Sequence, residues 1–580
     1  MTKHPLRAAA IGLSDPPQGS YFSEPPEKSG TSQRYMKAIL QRFFAHLPRR
    51  AIRGGSVAVD NLLSALVQEQ IAESLYICVP PNIQHETELW VRSHHNLASE
   101  ALIRSLPSLN WQQLSVPPLE VWFELSNLNA LSSLRVREWF TKQDYPLIIT
   151  NHTLSLHNLL TDYVFQLLLH QTFPWDSLVC SSAASATALA SMIDNISTRS
   201  EKRLNWSAKY HGRIDTIPLP VDTEYYCPGS QQLARRRLKL PEHGFLVLYL
   251  GYISHTKADM TPFLRGLREI STKHLERHVT LVLAGVYDEP YQKWLQSEIN
   301  HTGMQDTVVF RTDVSPSEKR LLYHAADIFF SPSDTLQESF GLSVVEAMAS
   351  GLPQVVSDWD GYRELVADGE TGYLIPTWWG RCDEELTYSG WFSGSEHDHV
   401  ALGQSVAINL HNWNEAITSL VSNPPRLHEM SLKSRERAVS HYSNKVIAAR
   451  YQKLAFDLVE MRRAHNPVFT TKRNVPFYTP EYYSTFAHYA TFHLEPTAFL
   501  ITTGDTAELK EFLLRYTLLD RWGDLYDTEL LTAIQMDVSV GPITVSNILK
   551  VQAGKHPNSS HRTIRHIMWL VKHGFVEITC

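Results

Sequence analysis

In the stretch ESFGLSVVEAMASGLP, Glu338 and Glu346 stand eight positions apart around Gly341. The apolar run IFFSPS (328–333) leads into it as a strand, and Gly351 with Pro353 just beyond stops the helix expected over VVEAMAS. The loop therefore delivers the backbone N–H groups of Phe340, Gly341 and Leu342 to a helix N-terminus, where unpaired donors and the helix dipole favour an anion. Gly341 lets the backbone approach that anion closely, and a phosphate is its natural occupant. Two carboxylates flanking a phosphate are ill suited to binding it, but they accept hydrogen bonds from hydroxyls, as an acidic side chain does on ribose in dinucleotide sites. Glu338 before the cradle and Glu346 one turn into the helix would grip two polyols on either side of a phosphate. A sugar on a nucleoside diphosphate has that layout.

The elements that must hold this loop are legible as a repeat of strand and helix from Gly54 to about Glu460. Short β-rich runs (LYICVP at 75–80, LIIT at 147–150, SLVC at 177–180, LVLYLG at 246–251, TLVLAG at 280–285, IFFSPS at 328–333, QVVSD at 354–358) alternate with helical segments such as 259–274 and 316–326. Continuous apolar strands separated by helices imply parallel sheets covered on both faces, and this many units implies two such domains. Ligands of open α/β sheets sit at the carboxyl ends of the strands, where the Glu338 loop falls. Ahead of this region, Tyr35, Met36, Ile39, Leu40, Phe43, Phe44 and Leu47 recur at helical spacing with Arg34, Lys37 and Arg42 between them. A basic amphipathic helix over about 32–47 either packs on its own domain, makes peripheral contact with an anionic membrane or holds an anionic acceptor.

Size and composition bound the alternatives. A chain of 580 residues is too long for one core and implies roughly two to four domains. Its formal charge of -7, with 43% hydrophobic and 19% charged residues, gives no global signal for nucleic acid or acidic partners. Cys78, Cys180, Cys227, Cys382 and Cys580 are far apart and form no CxxC pair, so neither a disulfide framework nor a zinc knuckle is indicated. A reducing, cytoplasmic setting is the simplest fit. The apolar run near the start of MTKHPLRAAAIGLSDPP is too short for a signal peptide, and nothing approaches the ~18 apolar residues of a membrane span.

The stretch around Glu338 and Glu346 resembles the E-x7-E signature of the retaining, GT-B-fold glycosyltransferases of family 4 (glycosyl transferases group 1), and further blocks agree in order. IPLPVDTEYYCP (217–228) is similar to the family's interdomain segment, and LGYISHTKA (250–258) to its strand followed by G-R-L-x-x-x-K-G. DWDGYRELVADGETGYLIP (358–376) resembles its G-G-x-x-E-x-V-x-D-G-x-T-G-x-L block. ITNHTLSL (149–156) resembles its loop histidine, DSLVCSSAASATALA (176–190) its D-x-V-I-x-x-S stretch, and RGGSVAVDNLLSALV (53–67) the glycine-rich loop of the acceptor side. The resemblance implies a GT-B architecture: two Rossmann-like parallel-sheet domains facing a cleft, here with a small, mainly α C-terminal domain added. It implies that Glu338 binds donor-sugar hydroxyls, Glu346 the ribose, and the amides of Phe340 to Leu342 the sugar and phosphate. Lys257 would neutralise the leaving diphosphate, His152 would stand near the donor sugar, Gly54 and Gly55 would line the cleft, and backbone near Thr312 to Val314 would meet the base. Gly361 and Glu364 match a turn. Tyr252 replaces the arginine that the family carries beside the glycine, with Arg265 a candidate substitute cation. Such enzymes need neither bound metal nor cofactor. The expected reaction is transfer of a hexosyl unit from a nucleoside-diphosphate sugar to a hydroxyl on a glycan, lipid, peptide or small molecule, with retention at the anomeric carbon.

By this reading residues 1–215 form the acceptor-side domain, 216–465 the nucleotide-sugar domain, 466–480 a linker and 481–580 the C-terminal domain. The segment 376–399 is an insertion, either an acceptor-facing loop or a surface excursion. LYDTELLTAIQ, PITVSNILKVQ and SHRTIRHIMWLVKHGFVEI read as three helices ending in a strand and resemble a winged-helix module. Lys555, Arg562, Arg565 and Lys572 would give its third helix a basic face, with protein–protein contact or acceptor recognition favoured over nucleic acid. The competing reading is a catalytically weak GT-B scaffold that works by binding through this module.

Overall fold

The computed structural model describes residues 6–12, 54–79, 103–107, 119–125, 131–138, 143–154, 157–272, 277–312, 314–381, 400–465, 483, 487–516, 526–555 and 560–579. The basic helix expected over 32–47, the linker 466–480 and residues 382–399 of the insertion lie outside them.

Two parallel sheets carry the larger part of the chain, the GT-B class expected. The first has strands β1 (Leu6–Gly12), β2 (Ala72–Val79), β3 (Ile103–Pro107), β4 (Val121–Glu124), β5 (Leu147–Asn151), β6 (Ser177–Cys180) and β7 (Arg213–Thr216) in the order β3-β2-β1-β4-β5-β6-β7. Every pairing in it is parallel. The N-terminal apolar run is therefore the strand β1, which pairs with both β2 and β4. The second sheet has β8 (Phe245–Ile253), β9 (Val279–Tyr287), β10 (Val308–Thr312), β11 (Ile328–Ser331), β12 (Gln354–Ser357) and β13 (Gly372–Ile375) in the order β10-β9-β8-β11-β12-β13, again all parallel. In both, the order reverses beside the first strand, which opens a crevice at the carboxyl ends.

The apolar strands are explained by two-sided burial. Along β8, Leu246, Leu248 and Leu250 enter one core and Phe245, Val247 and Tyr249 the other, as a period of two requires. Helix Asn444–Ala464 follows the second sheet in the chain, yet Ile447, Ala448, Tyr451, Leu454, Ala455, Leu458 and Val459 are buried in the first sheet's core. Chain order placed it in the nucleotide-side segment, but its apolar stripe belongs to the other half.

The segment around Asp176 is structural. Asp176 makes a bidentate ion pair with Arg137, Nη1 to Oδ1 at 2.6 Å and Nη2 to Oδ2 at 2.8 Å, with both side chains almost fully buried. It also accepts the backbone N–H groups of Leu147 and Phe173, so the buried charge is compensated on every side.

The C-terminal unit is separate from the large one. Its helices Thr506–Arg515, Thr528–Ser539, Val545–Lys555 and Ser560–Lys572 pack on a sheet of β16 (Phe499–Thr502), β17 (Ile543–Thr544) and β18 (Val576–Thr579). The three expected helices are present, and upstream β16 supplies the partner that the final strand needs. The expected basic face is partly consumed: Arg562 pairs with Asp527 at 2.8 Å, and the Arg565 guanidinium stacks over Tyr526.

Candidate active site

The helix after β11 begins two residues earlier than the stretch VVEAMAS suggests, at Leu342, and runs to Ala349. Gly341 caps it with φ 107 and no side-chain hydrogen bond, and with the Val344 and Val345 N–H groups both donating to its carbonyl, the N–H groups of Leu342 and Ser343 are left for a ligand. A Cβ on Gly341 would meet the Tyr362 ring at 2.4 Å, and its φ is one that L side chains rarely adopt, which together explain the glycine. Phe340 is an anchor: its ring is buried and packs edge-on against Tyr442. Only its backbone is available to a donor. Gly361 presses on the same loop, where a Cβ would lie 2.4 Å from the Ser339 carbonyl oxygen.

Glu338 and Lys257 are brought together, Nζ to Oε2 at 3.6 Å, both partly exposed. Lys257 stands in the turn after β8, whose Ser254 carbonyl accepts its backbone N–H. Tyr252 ends on the same strand, and its carbonyl accepts the Tyr249 hydroxyl at 2.9 Å. Arg265 lies on the exposed face of helix Thr261–Thr272. Thr312 and Val314 stand at the carboxyl end of β10, Thr312 exposed and Val314 half-buried.

Glu346 is a different kind of carboxylate. It is buried, with Lys319 Nζ 2.8 Å from Oε1 and 2.6 Å from Oε2, and the Tyr323 hydroxyl donating to Oε2 at 2.7 Å. Lys319 and Tyr323 are one turn apart on helix Pro316–Ala325, and the ammonium also sits 5.7 Å from the centre of the Tyr226 ring. The sequence reading missed this support. Its signal was the i, i+4 pair of polar residues inside an otherwise ordinary helix.

His152 follows β5 from the first sheet. Its Nε2 lies 2.9 Å from the Leu125 carbonyl oxygen, which can only accept, so Nε2 carries the proton. Burial lowers its pKa to about 4, opposed by that hydrogen bond, and the ring is neutral at pH 7. Nδ1 is then a shielded acceptor with no partner among the described residues. A sugar hydroxyl would satisfy it.

The two halves meet at this loop. The Ser339 hydroxyl donates to the His152 carbonyl at 3.2 Å, and the Ser339 carbonyl accepts from Ser181 at 3.3 Å and Ser185 at 3.4 Å. Glu364, on the second sheet's side, accepts the backbone N–H of Ala183 at 2.6 Å and of Ala184 at 3.3 Å, at the N-terminus of helix Ala183–Leu204. The turn glutamate thus caps a helix of the opposite half, a role no sequence pattern disclosed. Gly54 and Gly55 open helix Gly54–Gln68.

Residues 230–378 match the family described as Glycosyl transferases group 1. That stretch contains Lys257, Thr312, Val314, Glu338, Glu346 and Glu364. Similar curated proteins include D-inositol 3-phosphate glycosyltransferase 2 of Catenulispora acidiphila, 34% identical over 171 residues, which are 28% of this chain and 39% of that one. D-inositol 3-phosphate glycosyltransferase of Thermobifida fusca is 31% identical over 188 residues, 32% of this chain and 43% of that one. The chain therefore spans less than half the length of either relative. Among solved structures, Anabaena Alr3699/HepE in complex with UDP aligns over 78% of this chain and 100% of its own, at 14% identity and a TM-score of 0.49.

Two further carboxyl groups border the site. Burial pushes the pKa of Asp334 up to about 7, and its Oδ1 has no partner among the described residues. Asp360 is also raised to about 7, by burial first and then by the charges of Glu338 and Glu364. Among the described residues no cluster of His, Cys, Asp and Glu could hold a metal ion, and no helix is long and apolar enough to cross a membrane.

Proposed function

We propose that the protein is a retaining glycosyltransferase that moves a hexosyl unit from a nucleoside-diphosphate sugar to an acceptor hydroxyl. The observation that carries this is the convergence on one loop of an uncapped helix N-terminus at Gly341, the Glu338–Lys257 pair, the buried Glu346 behind it and the unpartnered His152 Nδ1. The family match over 230–378 supports the same reading.

In this reading the diphosphate lies at the helix N-terminus and beside Lys257, which offsets the charge that grows as the leaving group departs. Glu346 accepts hydrogen bonds from the ribose hydroxyls, Glu338 from the donor sugar, and His152 Nδ1 from a further sugar hydroxyl. Gly54 and Gly55 line the cleft, and the base meets backbone near Thr312 to Val314. The acceptor oxygen forms a bond to the anomeric carbon on the face from which the diphosphate leaves. The carbon–oxygen bond to phosphate breaks, and the acceptor proton passes to that phosphate oxygen. Neither metal nor cofactor is assigned a step. The relatives are named for D-inositol 3-phosphate, but the family match lies on the donor side and does not bear on this chain's acceptor.

The test is calorimetric and thermal-shift titration with UDP, GDP, ADP and their sugar conjugates, using Glu346→Ala as control. Selective stabilisation by one nucleotide, lost in the variant, is the expected result. No response to any of them at millimolar concentration would overturn the donor site and favour the binding scaffold, with Tyr252 in the place of a phosphate-binding arginine as the reason.

A further inference from the structure

The loops at the carboxyl ends of the second sheet are laid out by its strand order. From β10 to β13 they carry Thr312 and Val314, then Lys257 after β8, Glu338 after β11, Trp359 after β12, and Trp378 and Trp379 after β13. On the reading above, base, diphosphate and donor sugar follow one another along this line. What comes next is aromatic.

Trp359 and Trp379 are held in place. The Trp359 indole N–H donates to the Thr335 carbonyl at 2.9 Å, on the loop that carries Glu338, and the Trp379 indole N–H donates to the Ser405 hydroxyl at 3.0 Å. The rings meet edge to face, centroids 5.8 Å apart at 76°. Trp379 sits on the short strand β14 (Thr377–Trp379), paired antiparallel with β15 (Val406–Ile408), and remains 48% exposed. With both N–H groups engaged inside the protein, what Trp379 offers outward is a rigid ring face. Half of a tryptophan surface is on the order of 100 Å². That is too small for a lipid chain or a protein core contact, which needs a contiguous apolar patch of several hundred Å². Its neighbours Gly380, Arg381 and Ser405 are small or polar. A small apolar face with the polar residues Arg381 and Ser405 beside it matches a ligand that is itself apolar on one face and hydroxylated at its edge.

We propose that Trp379, braced by Trp359, is a saccharide platform, and that the acceptor of the transfer is a glycan whose pyranose ring stacks there. This rests on the glycosyltransferase reading for the word acceptor, but saccharide binding at Trp379 is testable without it.

The experiment applies the labelled full-length protein to a glycan array and then titrates the oligosaccharides that respond by calorimetry. The proteins compared are wild type, Trp379→Ala, Trp379→Phe and Trp378→Ala. Trp378 is the control because successive strand residues face opposite ways. Phosphatidylcholine vesicles and the nucleotide panel are run beside them. The expected result is a glycan whose binding weakens at least tenfold in Trp379→Ala, is largely restored in Trp379→Phe and is unchanged in Trp378→Ala, while nucleotide binding stays at wild-type strength. Absence of any glycan response, or a response that Trp379→Ala leaves intact, overturns the proposal, as does vesicle binding lost in Trp379→Ala. Loss of nucleotide binding in the wild type would instead fall on the donor site and leave the glycan result to be scored alone.

Discussion

Glu346 is the group on which ribose binding would turn, and its burial allows a sharp test through Lys319. Lys319→Met keeps most of the stem and removes an ammonium 2.6 Å from one carboxylate oxygen and 2.8 Å from the other. The Glu346 side chain is only 2% exposed, so the substitution strands a buried charge, with the Tyr323 hydroxyl still on Oε2. Removing one partner of a fully buried pair costs about 3–5 kcal/mol. Lys319 is 25% exposed, water reaches its side of the pair, and the expected loss falls to about 2 kcal/mol. In a Glu346→Ala background there is no charge to strand, and the same change should cost about 0.5 kcal/mol or less. The cycle of four proteins therefore has an expected coupling energy of about 1.5 kcal/mol, read from urea unfolding followed by fluorescence. Calorimetry on the same four proteins should show nucleotide binding weakened in Lys319→Met and abolished wherever Glu346 is absent. A coupling energy under about 0.5 kcal/mol, the level expected of independent sites, would refute the view that Lys319 and this carboxylate act as a pair.

Glu364→Ala should raise the donor KM several-fold with little change in nucleotide affinity, because it removes the caps on Ala183 and Ala184 that join the two halves; steady-state kinetics against calorimetry separates the two. Asp176→Ala takes the bidentate carboxylate away from the buried Arg137 guanidinium and should destabilise the fold by about 3–5 kcal/mol, measured by urea unfolding. The raised pKa of Asp334 means that the folded state holds this proton more tightly than the unfolded chain. Its contribution is fully present below the ordinary carboxyl range near pH 4 and is lost as pH rises through about 7, so Asp334→Asn should flatten the fall in stability across that window. His152 has the opposite sign: its lowered pKa costs stability as pH falls from about 6.5 toward 4, and His152→Gln should remove that slope in acid titrations followed by circular dichroism.

The elements with strong local signals were legible in the sequence. The strands of β8, β9, β11 and β12 are continuous apolar runs because both faces are buried, and the Gly341 loop carries its own turn chemistry. β1 was not legible as a strand, because RAAAIG is rich in alanine, a poor strand former, and its place in the sheet comes from long-range pairing. Glu338 and Glu346 could be singled out because a spacing marks them, and Lys257 because its block resembles the family's. Lys319, Tyr323 and the helix-capping role of Glu364 could not, because each acts across a distance in sequence that a local pattern cannot encode. The final strand's partner was missed for the same reason: β16 lies more than seventy residues upstream of β18.

Helix Asn444–Ala464 closes the core of the first sheet although it is made last of the large unit's elements. During synthesis the first half must wait, with Ile77, Phe123 and Val179 uncovered on one side, until the second half has been translated. A truncated first half expressed alone would lack this lid and should be insoluble, whereas co-expression with a peptide spanning the helix should rescue it. For the same reason, grafting another first half onto this second half takes two crossovers, one ahead of the second sheet and one ahead of residue 444.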